Sequence, residues 1–596
     1  MPGRSFYFHP FIFHLFMYQI GSSKVKITIY KEHVGMLGYG RHFHYMRGVE
    51  TEQYARAFVF ENQGKKCVFV VVDYCFTTIY LKHGIVQKLQ AEYPQFGYSD
   101  ANVMITGQHT HSTAGGYTQH LIYNMTTPGF QWDVYEHYRD GIIAAIVEAE
   151  KNLKTAKITL HKAEFDKDVE VAFNRSINAY NQNPEVKEKA VYKKRHLAVD
   201  RVMKLLRFDS PDGHPIASLN WFGVHTTSVS NRCDKVCYDN KGYAAEFMEE
   251  WMQEEYGHDE KWSAGFAQDA TGDVSPNFVW MSKLREYRGK YKDDYESAAY
   301  NGRLQFSKAK EIFEDAPANG TEIKGGIDYI LAYYDMTNFD ISEEFTNGLP
   351  HQRTGDACMG MAFLVGTTDG QGTPRAIGAL ATAYLNSSRE IEILSARLSR
   401  NKKRKEDVLN FYNAQRPKAV AMNLSKGLIA GSNPQKLPIP SFIDPLVKYM
   451  KHVMKKGKGV KTPWVEERMP LQIFILGQLA IIGIPAEITT IAAERLRNTI
   501  LERLKNRGVT EIILSPYANG YAGYITTPEE YKTQSYEAGH TLFGRWTLPA
   551  YQMGFTELAN ELLKDPTERR YLGVESVIFE KDEIWDGFED PKIRVY

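Results

Sequence analysis

Three apolar runs in this chain end in side chains able to hold a metal, and that coincidence narrows what it can fold into. Val103-Met104-Ile105-Thr106 runs into Gly107-Gln108-His109-Thr110-His111-Ser112. Asn220-Trp221-Phe222-Gly223-Val224 runs into His225, and Leu479-Ala480-Ile481-Ile482-Gly483-Ile484 into Pro485-Ala486-Glu487. Short continuous apolar runs bounded by Gly or Pro predict buried strands. In α/β proteins, sites gather where such strands end. On extended backbone the i, i+2 spacing of His109 and His111 puts both rings on one face. Two imidazoles and one carboxylate are the protein set of many catalytic zinc sites, which keep a further position for water. Read alone, Glu487 could simply cap a helix starting at Ile488, and an isolated His-x-His could be a solvated loop. Taken together, the three runs favour a mononuclear zinc hydrolase.

The surrounding pattern predicts an α/β fold, a mixed-sheet catalytic domain with helices packed around it and the metal ligands at strand ends. Cys67–Asp73 reads as a buried strand, Tyr135–Leu153 as an amphipathic helix and Ile158–Phe165 as an alternating strand. Leu471–Ile484 reads as two strands joined near Gly477, followed by a helix over Ile488–Lys505; a last helix is expected over about Pro549–Lys564. No Pro/Gly/Ser-rich linker divides the 596 residues convincingly, and no solenoid repeat is evident. With 72 basic and 72 acidic residues, nothing suggests a general affinity for nucleic acid or for an anionic membrane. No obligate protein partner is indicated. Five cysteines are too few and too irregular for a disulfide framework; Cys233 and Cys237 could bridge one loop or remain inert thiols.

Six segments occur in one order: GQHTHSTAGGYTQHL, NWFGVHTTSVSN, GDVSPN, GTTDGQG, LGQLAIIGIPAEITTIAAERLR and YANGYAGYITTPEEY followed by YEAGHTLFG. From about Tyr18 to about Tyr551 the chain resembles the neutral/alkaline (non-lysosomal) ceramidase family. That resemblance implies a zinc-dependent amidohydrolase cleaving the N-acyl bond of ceramide to sphingosine and fatty acid. It implies one Zn²⁺ per chain, held by His109, His225 and Glu487. The fourth ligand would be a tyrosine of the YANGYAGY segment, placed at Tyr524 with Tyr521 as the alternative. A phenol of ordinary pKa about 10 would bind a dication as phenolate, or weakly enough to move aside. His111 would face the substrate, donating to the oxyanion or exchanging a proton. Arg175 would lie near the substrate's polar head, although its residue type also fits an arginine holding backbone carbonyls. Tyr536 would contact substrate.

Ser275 carries two readings. Ser followed by Pro is an ordinary helix start, with Ser as N-cap. The resemblance places a catalytic serine there, either the nucleophile of an acyl-enzyme or a group that positions substrate. No GxSxG elbow is present, which favours attack by zinc-activated water with Ser275 positioning substrate.

The expected organisation is a leader of unassigned role over 1–17, a catalytic domain over 18–565 and a C-terminal tail over 566–596. The N-terminal stretch is short for a membrane span and poor as a secretory signal. By resemblance, export is favoured, with a cytoplasmic location as the alternative. Residues 402–461 are lysine-rich and read as a solvated surface expansion, with transient membrane-surface contact as the other reading. The longer ceramidases carry a C-terminal β-sandwich domain that has no counterpart in this sequence, which leaves other substrates open. They are another N-acyl lipid or small amide cleaved by a zinc amidase; a non-catalytic lipid-binding relative is the alternative outside enzymes.

Overall fold

The apolar runs become strands with both faces covered. In the computed structural model, which describes residues 17–41, 44–127, 129–259, 262–436 and 462–587, two sheets stack face to face between layers of helix. The larger sheet contains β1 (Tyr18–Lys26), β2 (Tyr54–Asn62), β3 (Lys65–Val72), β4 (Val103–Gly107), β5 (Lys154–Glu164), β6 (Val202–Asp209), β7 (Pro215–Trp221) and β8 (Ser263–Ala267). Their order is β4-β3-β2-β1-β5-β6-β7-β8, and the short Thr321–Glu322 strand adds to β5. Pairing is antiparallel except at the two ends, where β3 runs parallel to β4 and β7 parallel to β8. The second sheet orders β9 (Ile327–Asp335), β10 (Arg468–Leu476), β11 (Leu479–Ile484) and β12 (Glu511–Pro516), with only β11 and β12 parallel.

Alternation along the strands sorts side chains between two cores. In β3, Cys67, Phe69 and Val71 face the second sheet, where they meet Phe474, Leu476, Leu479 and Ile481. Val68, Val70 and Val72 face outward, among residues of α1 (Ile79–Glu92) and α2 (Trp132–Lys151). The other half of the larger sheet is covered by α3 (Asp239–Tyr256) and α4 (Asp294–Asn319). Between β9 and β10 the chain makes a long excursion carrying α5 (Arg375–Leu398) and α6 (Lys402–Gln415). Helices α7 (Thr490–Leu504) and α8 (Thr547–Leu562) close the outer face of the second sheet over Leu471, Ile473 and Ile482. Each fully buried Phe or Leu in these layers contributes about 1.5–3 kcal/mol. A strand with helices on one side and a sheet on the other has no wet face, hence its unbroken apolar sequence.

Several expectations need correction. Ser275 does not cap a helix; it pairs with Phe173 in a two-residue strand, and its Oγ accepts the Asn277 N–H at 3.0 Å. That is the local serine turn that competes with helix entry. Of the two readings left open for Cys233 and Cys237, the structure has the free thiols. The lysine-rich expansion is exposed along α6 but does not stay in solvent. Val420–Asn423 returns to pair with Cys358–Gly360, burying Ala421, Met422 and Leu424. Residues 437–461, nearly all of the 1–17 leader and the end of the 566–596 tail lie outside the described residues. Up to residue 587 the tail is anchored: Phe579, Ile584 and Trp585 are buried, and Gln119 binds the Val577 carbonyl. No helix among the described residues is long and apolar enough to cross a membrane.

Candidate metal centre

The ends of β4, β7 and β11 converge, and each delivers one side chain. After β4, Gly107 passes so close to the preceding loop that a Cβ would stand 2.8 Å from the Cys75 carbonyl oxygen. The chain then leaves the sheet through His109 in a left-handed conformation, φ 81°, with its N–H bonded to the Tyr74 carbonyl at 2.9 Å. The His109–His111 segment is therefore not extended. The two rings nevertheless meet, with 3.1 Å between their Nε2 atoms. After β7, Gly223 abuts the Ala270 carbonyl, and His225 follows with its N–H on the Val274 carbonyl at 3.2 Å. After β11, Glu487 sits in a short parallel pair with Tyr524, its N–H on the Gly523 carbonyl at 2.8 Å.

Glu487 Oε2 lies 3.0 Å from His225 Nε2 and 3.6 Å from His109 Nε2. Tetrahedral ligands about 2.0–2.1 Å from one zinc stand roughly 3.3–3.4 Å apart, so the donor atoms already stand at a metal's spacing. Their outer partners complete the fit. His109 Nδ1 is 2.9 Å from the Cys75 carbonyl, and His225 Nδ1 is 2.8 Å from the Thr271 carbonyl. A proton on each Nδ1 leaves both Nε2 lone pairs facing the carboxylate, the tautomer a metal requires. Burial drives the His109 pKa down to about 4, against the pull of Glu487. Burial pushes the Glu487 carboxyl upward, but His109 and His225 outweigh it and hold the group well below the ordinary carboxylate range. A neutral His109 imidazole beside an ionised carboxylate suits the binding of a dication.

The two tyrosines occupy different places. Tyr521 Oη donates to Glu487 Oε1 at 2.5 Å, the oxygen turned away from the imidazoles, and its ring stacks on Phe76. Tyr524 Oη lies 3.5 Å from His225 Nε2 and accepts from Arg175 Nη2 at 3.0 Å. Tyr517, the first tyrosine of the YANGYAGY segment and given no role from sequence, stacks on His109 at 4.0 Å and donates to Glu487 Oε2 at 3.3 Å.

Arg175 holds a backbone carbonyl, the structural one of its two readings. Its Nη2 also binds the Gly272 carbonyl at 2.8 Å, while Nε donates to Glu537 at 2.9 Å and Nη1 lies 3.5 Å from Asp369. The guanidinium sits 5.4 Å from the Tyr536 ring centroid. Two carboxylates thus balance one buried cation. Ser275 Oγ donates to Asp369 Oδ1 at 2.8 Å. Asp369 and Glu537 were missed from sequence. The signal was available for Asp369, an acid at the tip of the Gly-rich turn in GTTDGQG. Glu537 stands beside Tyr536 without any local mark.

His109, His111, His225, Glu487, Tyr524, Arg175 and Tyr536 line one cavity of about 250 Å³. Its other wall is apolar, with Leu37, Phe76, Ile122, Met125, Met359 and Leu364. His540 also lines it, fully buried and stacked on Phe363 at 4.0 Å, with neither ring nitrogen hydrogen-bonded.

A double-sheet α/β scaffold that aims a His-His-Glu cluster into such a cavity defines a hydrolase with a built polar floor and a greasy wall. Residues 18–440 and 447–553 match the family described as neutral/alkaline non-lysosomal ceramidase, N-terminal, and the chain belongs to that family. Neutral ceramidase A of Dictyostelium discoideum is 32% identical over 575 residues, covering 92% of this chain and 73% of that protein. The neutral ceramidase of Pseudomonas aeruginosa is 30% identical over 547 residues, covering 91% and 72%. Among solved structures, a ceramidase complexed with C2 superposes with a TM-score of 0.75 at 27% identity, covering 94% of this chain and 77% of that one. The crystal structure of the P. aeruginosa neutral ceramidase gives 0.70 at 28% identity, covering 95% and 76%.

Proposed function

We propose that this protein is a zinc-dependent amidohydrolase that cleaves the N-acyl bond of ceramide, releasing sphingosine and a fatty acid. Family membership supports the amide substrate. The observation that carries the metal is the convergence of His109 Nε2, His225 Nε2 and Glu487 Oε2, each imidazole anchored by a backbone carbonyl. Those three residues would hold Zn²⁺, with Tyr524 at a fourth position. When bound, the ion would supply Lewis acidity and a water of pKa near 7.

The chain's own residues supply the rest. Burial and Glu487 hold the Tyr524 phenol well above its ordinary pKa, and Arg175, fixed by Glu537 and the Gly272 carbonyl, opposes that shift by keeping Nη2 on the phenol oxygen. The apolar wall takes the hydrocarbon chains and excludes bulk water, which strengthens every donor on the floor. His111 faces the cavity and would donate to the amide oxygen as charge builds there, or hand a proton to the departing amine. In the balance, the C–N bond breaks, a water oxygen joins the acyl carbon and one water proton ends on nitrogen. Ser275, held by Asp369 and the Asn277 N–H and not itself lining the cavity, would position the substrate through Asp369, which does line it, rather than form an acyl-enzyme; among the described residues no histidine is a hydrogen-bond partner of its Oγ.

The test is release of fatty acid from a fluorescent ceramide by purified protein, with zinc content measured on the same sample. One zinc per chain, with chelator-sensitive turnover that His109→Ala abolishes, supports the reading. A zinc-free protein that turns over ceramide undoes the metal assignment. Bound zinc without turnover undoes ceramide as substrate and moves the search to other N-acyl amides.

A further inference from the structure

Helix α5 carries two apolar stripes, and among the described residues only one of them has partners. Its inner side packs Ala381 and Leu385 on Met361, Ala419 and Ala421. Its outer side displays Ile377, Leu380, Tyr384, Ile391, Leu394 and Leu398, each between 57% and 77% exposed. At about 100° per residue these six fall within one arc of about 100°, a stripe from Ile377 to Leu398 interrupted at Ser387. Scattered exposed leucines are ordinary; a row of six large apolar side chains at helical spacing marks an interaction surface.

Charge identifies the partner. Between Arg375 and Lys405 stand eight basic residues and two acidic ones, in a chain whose total charge is zero. Arg397, Arg400, Lys402, Lys403 and Lys405 are exposed and have no ion pair among the described residues. An apolar stripe beside a cationic cluster is the signature of a helix lying in the interface of an anionic bilayer. Position points the same way. The segment Met361–Leu364, on which the inner side of α5 rests, contributes Phe363 and Leu364 to the cavity wall, and α5 begins three residues after Gly372, which also lines it.

We propose that the outer face of α5, with the basic run Arg397–Lys405, seats the protein on an anionic phospholipid membrane beside the mouth of its cavity. The proposal rests on the lipid-amide reading above for its purpose, although the docking itself is tested without substrate. A water-insoluble substrate could then pass from bilayer to cavity without crossing solvent.

The full chain is mixed with vesicles of phosphatidylcholine alone, or of phosphatidylcholine with phosphatidylserine, and sedimented. Wild type is expected to partition onto the phosphatidylserine vesicles, less so at high salt. Leu380→Asp with Leu394→Asp, both on the solvent face, is expected to lower partitioning about tenfold or more, and Lys402→Glu with Lys403→Glu to lower it on anionic vesicles only. The same variants should keep wild-type activity on a short-chain amide in detergent and lose it on ceramide embedded in vesicles. Absence of wild-type binding to either vesicle overturns the proposal. So does wild-type binding by the Leu380/Leu394 variant. A dimer that this variant splits, without vesicle binding, assigns the stripe to a second copy of the chain and also overturns it. Loss of vesicle binding by the variant in a protein that hydrolyses no ceramide supports docking while undoing the function proposed above.

Discussion

Replacing Tyr521 by Phe removes one oxygen and almost nothing else. The ring is stacked on Phe76 with centroids 4.0 Å apart, and a phenylalanine keeps that contact. What is lost is the donor to Glu487 Oε1, a hydrogen bond to a charged acceptor worth about 1.5–3 kcal/mol. Because Oε1 belongs to the carboxylate proposed to bind zinc through Oε2, the loss should appear in metal affinity. At about 1.4 kcal/mol per tenfold, the expected weakening is roughly 10- to 100-fold. Competition with a chromogenic chelator measures it, and thermal unfolding checks that the fold is intact. Tyr524→Phe supplies the contrast. Its oxygen stands beside His225 and Arg175, so turnover at saturating zinc should fall by about 10²-fold or more. Zinc affinity unchanged in Tyr521→Phe would refute the supporting role given to this phenol. Loss of zinc in Tyr521→Phe with full activity in Tyr524→Phe would exchange the two assignments.

His540 is buried with no hydrogen-bond partner among the described residues, and burial lowers its pKa to about 3. The unfolded imidazole, at about 6.5, takes a proton between pH 7 and 5 while the folded one does not. Stability is therefore present above pH 6.5 and lost as pH falls, by about 2 kcal/mol over that interval. Denaturant titrations at the two pH values should show His540→Phe losing less by that amount; equal slopes would contradict it. Ser275→Ala should retain measurable turnover with no acyl adduct by mass spectrometry, and complete loss of activity with an adduct trapped in wild type would instead make Ser275 the nucleophile. Asp369→Asn should lower turnover with little effect on zinc content, since it holds Ser275 and Arg175 rather than the ligand atoms. Gly107→Ala forces a Cβ against the Cys75 carbonyl at 2.8 Å and should destabilise the fold by about 1–3 kcal/mol, read as a lowered Tm.

Much of this architecture is written locally. The strand pair Arg468–Leu476 and Leu479–Ile484, joined at Gly477, and helix Thr490–Leu504 lie close to where apolar periodicity puts them. Both faces of each strand are buried, so the signal is an uninterrupted apolar run that no surface requirement dilutes. His109, His225 and Glu487 were legible for the same reason, since each follows such a run. The left-handed backbone at His109 was not, because it answers to the Tyr74 carbonyl on a neighbouring strand's exit. Nor was the fate of Ser275-Pro276, where a sequence that suits a helix start is drawn into pairing with Phe173.

By itself, then, the sequence determined the approximate course of several strands and helices and which three side chains follow the apolar runs of β4, β7 and β11. Apolar alternation and Gly or Pro breaks act over a few residues, and a reader of the chain sees them directly. Tertiary structure decided everything that depends on distance across the chain. It put Glu537 and Asp369 around Arg175, gave Tyr521 to one carboxylate oxygen of Glu487 and Tyr524 to the side of His225, and left one face of α5 without a partner among the described residues. Those contacts join residues up to several hundred positions apart, and their energies depend on burial and on the remaining partners, which exist only once the two sheets have packed.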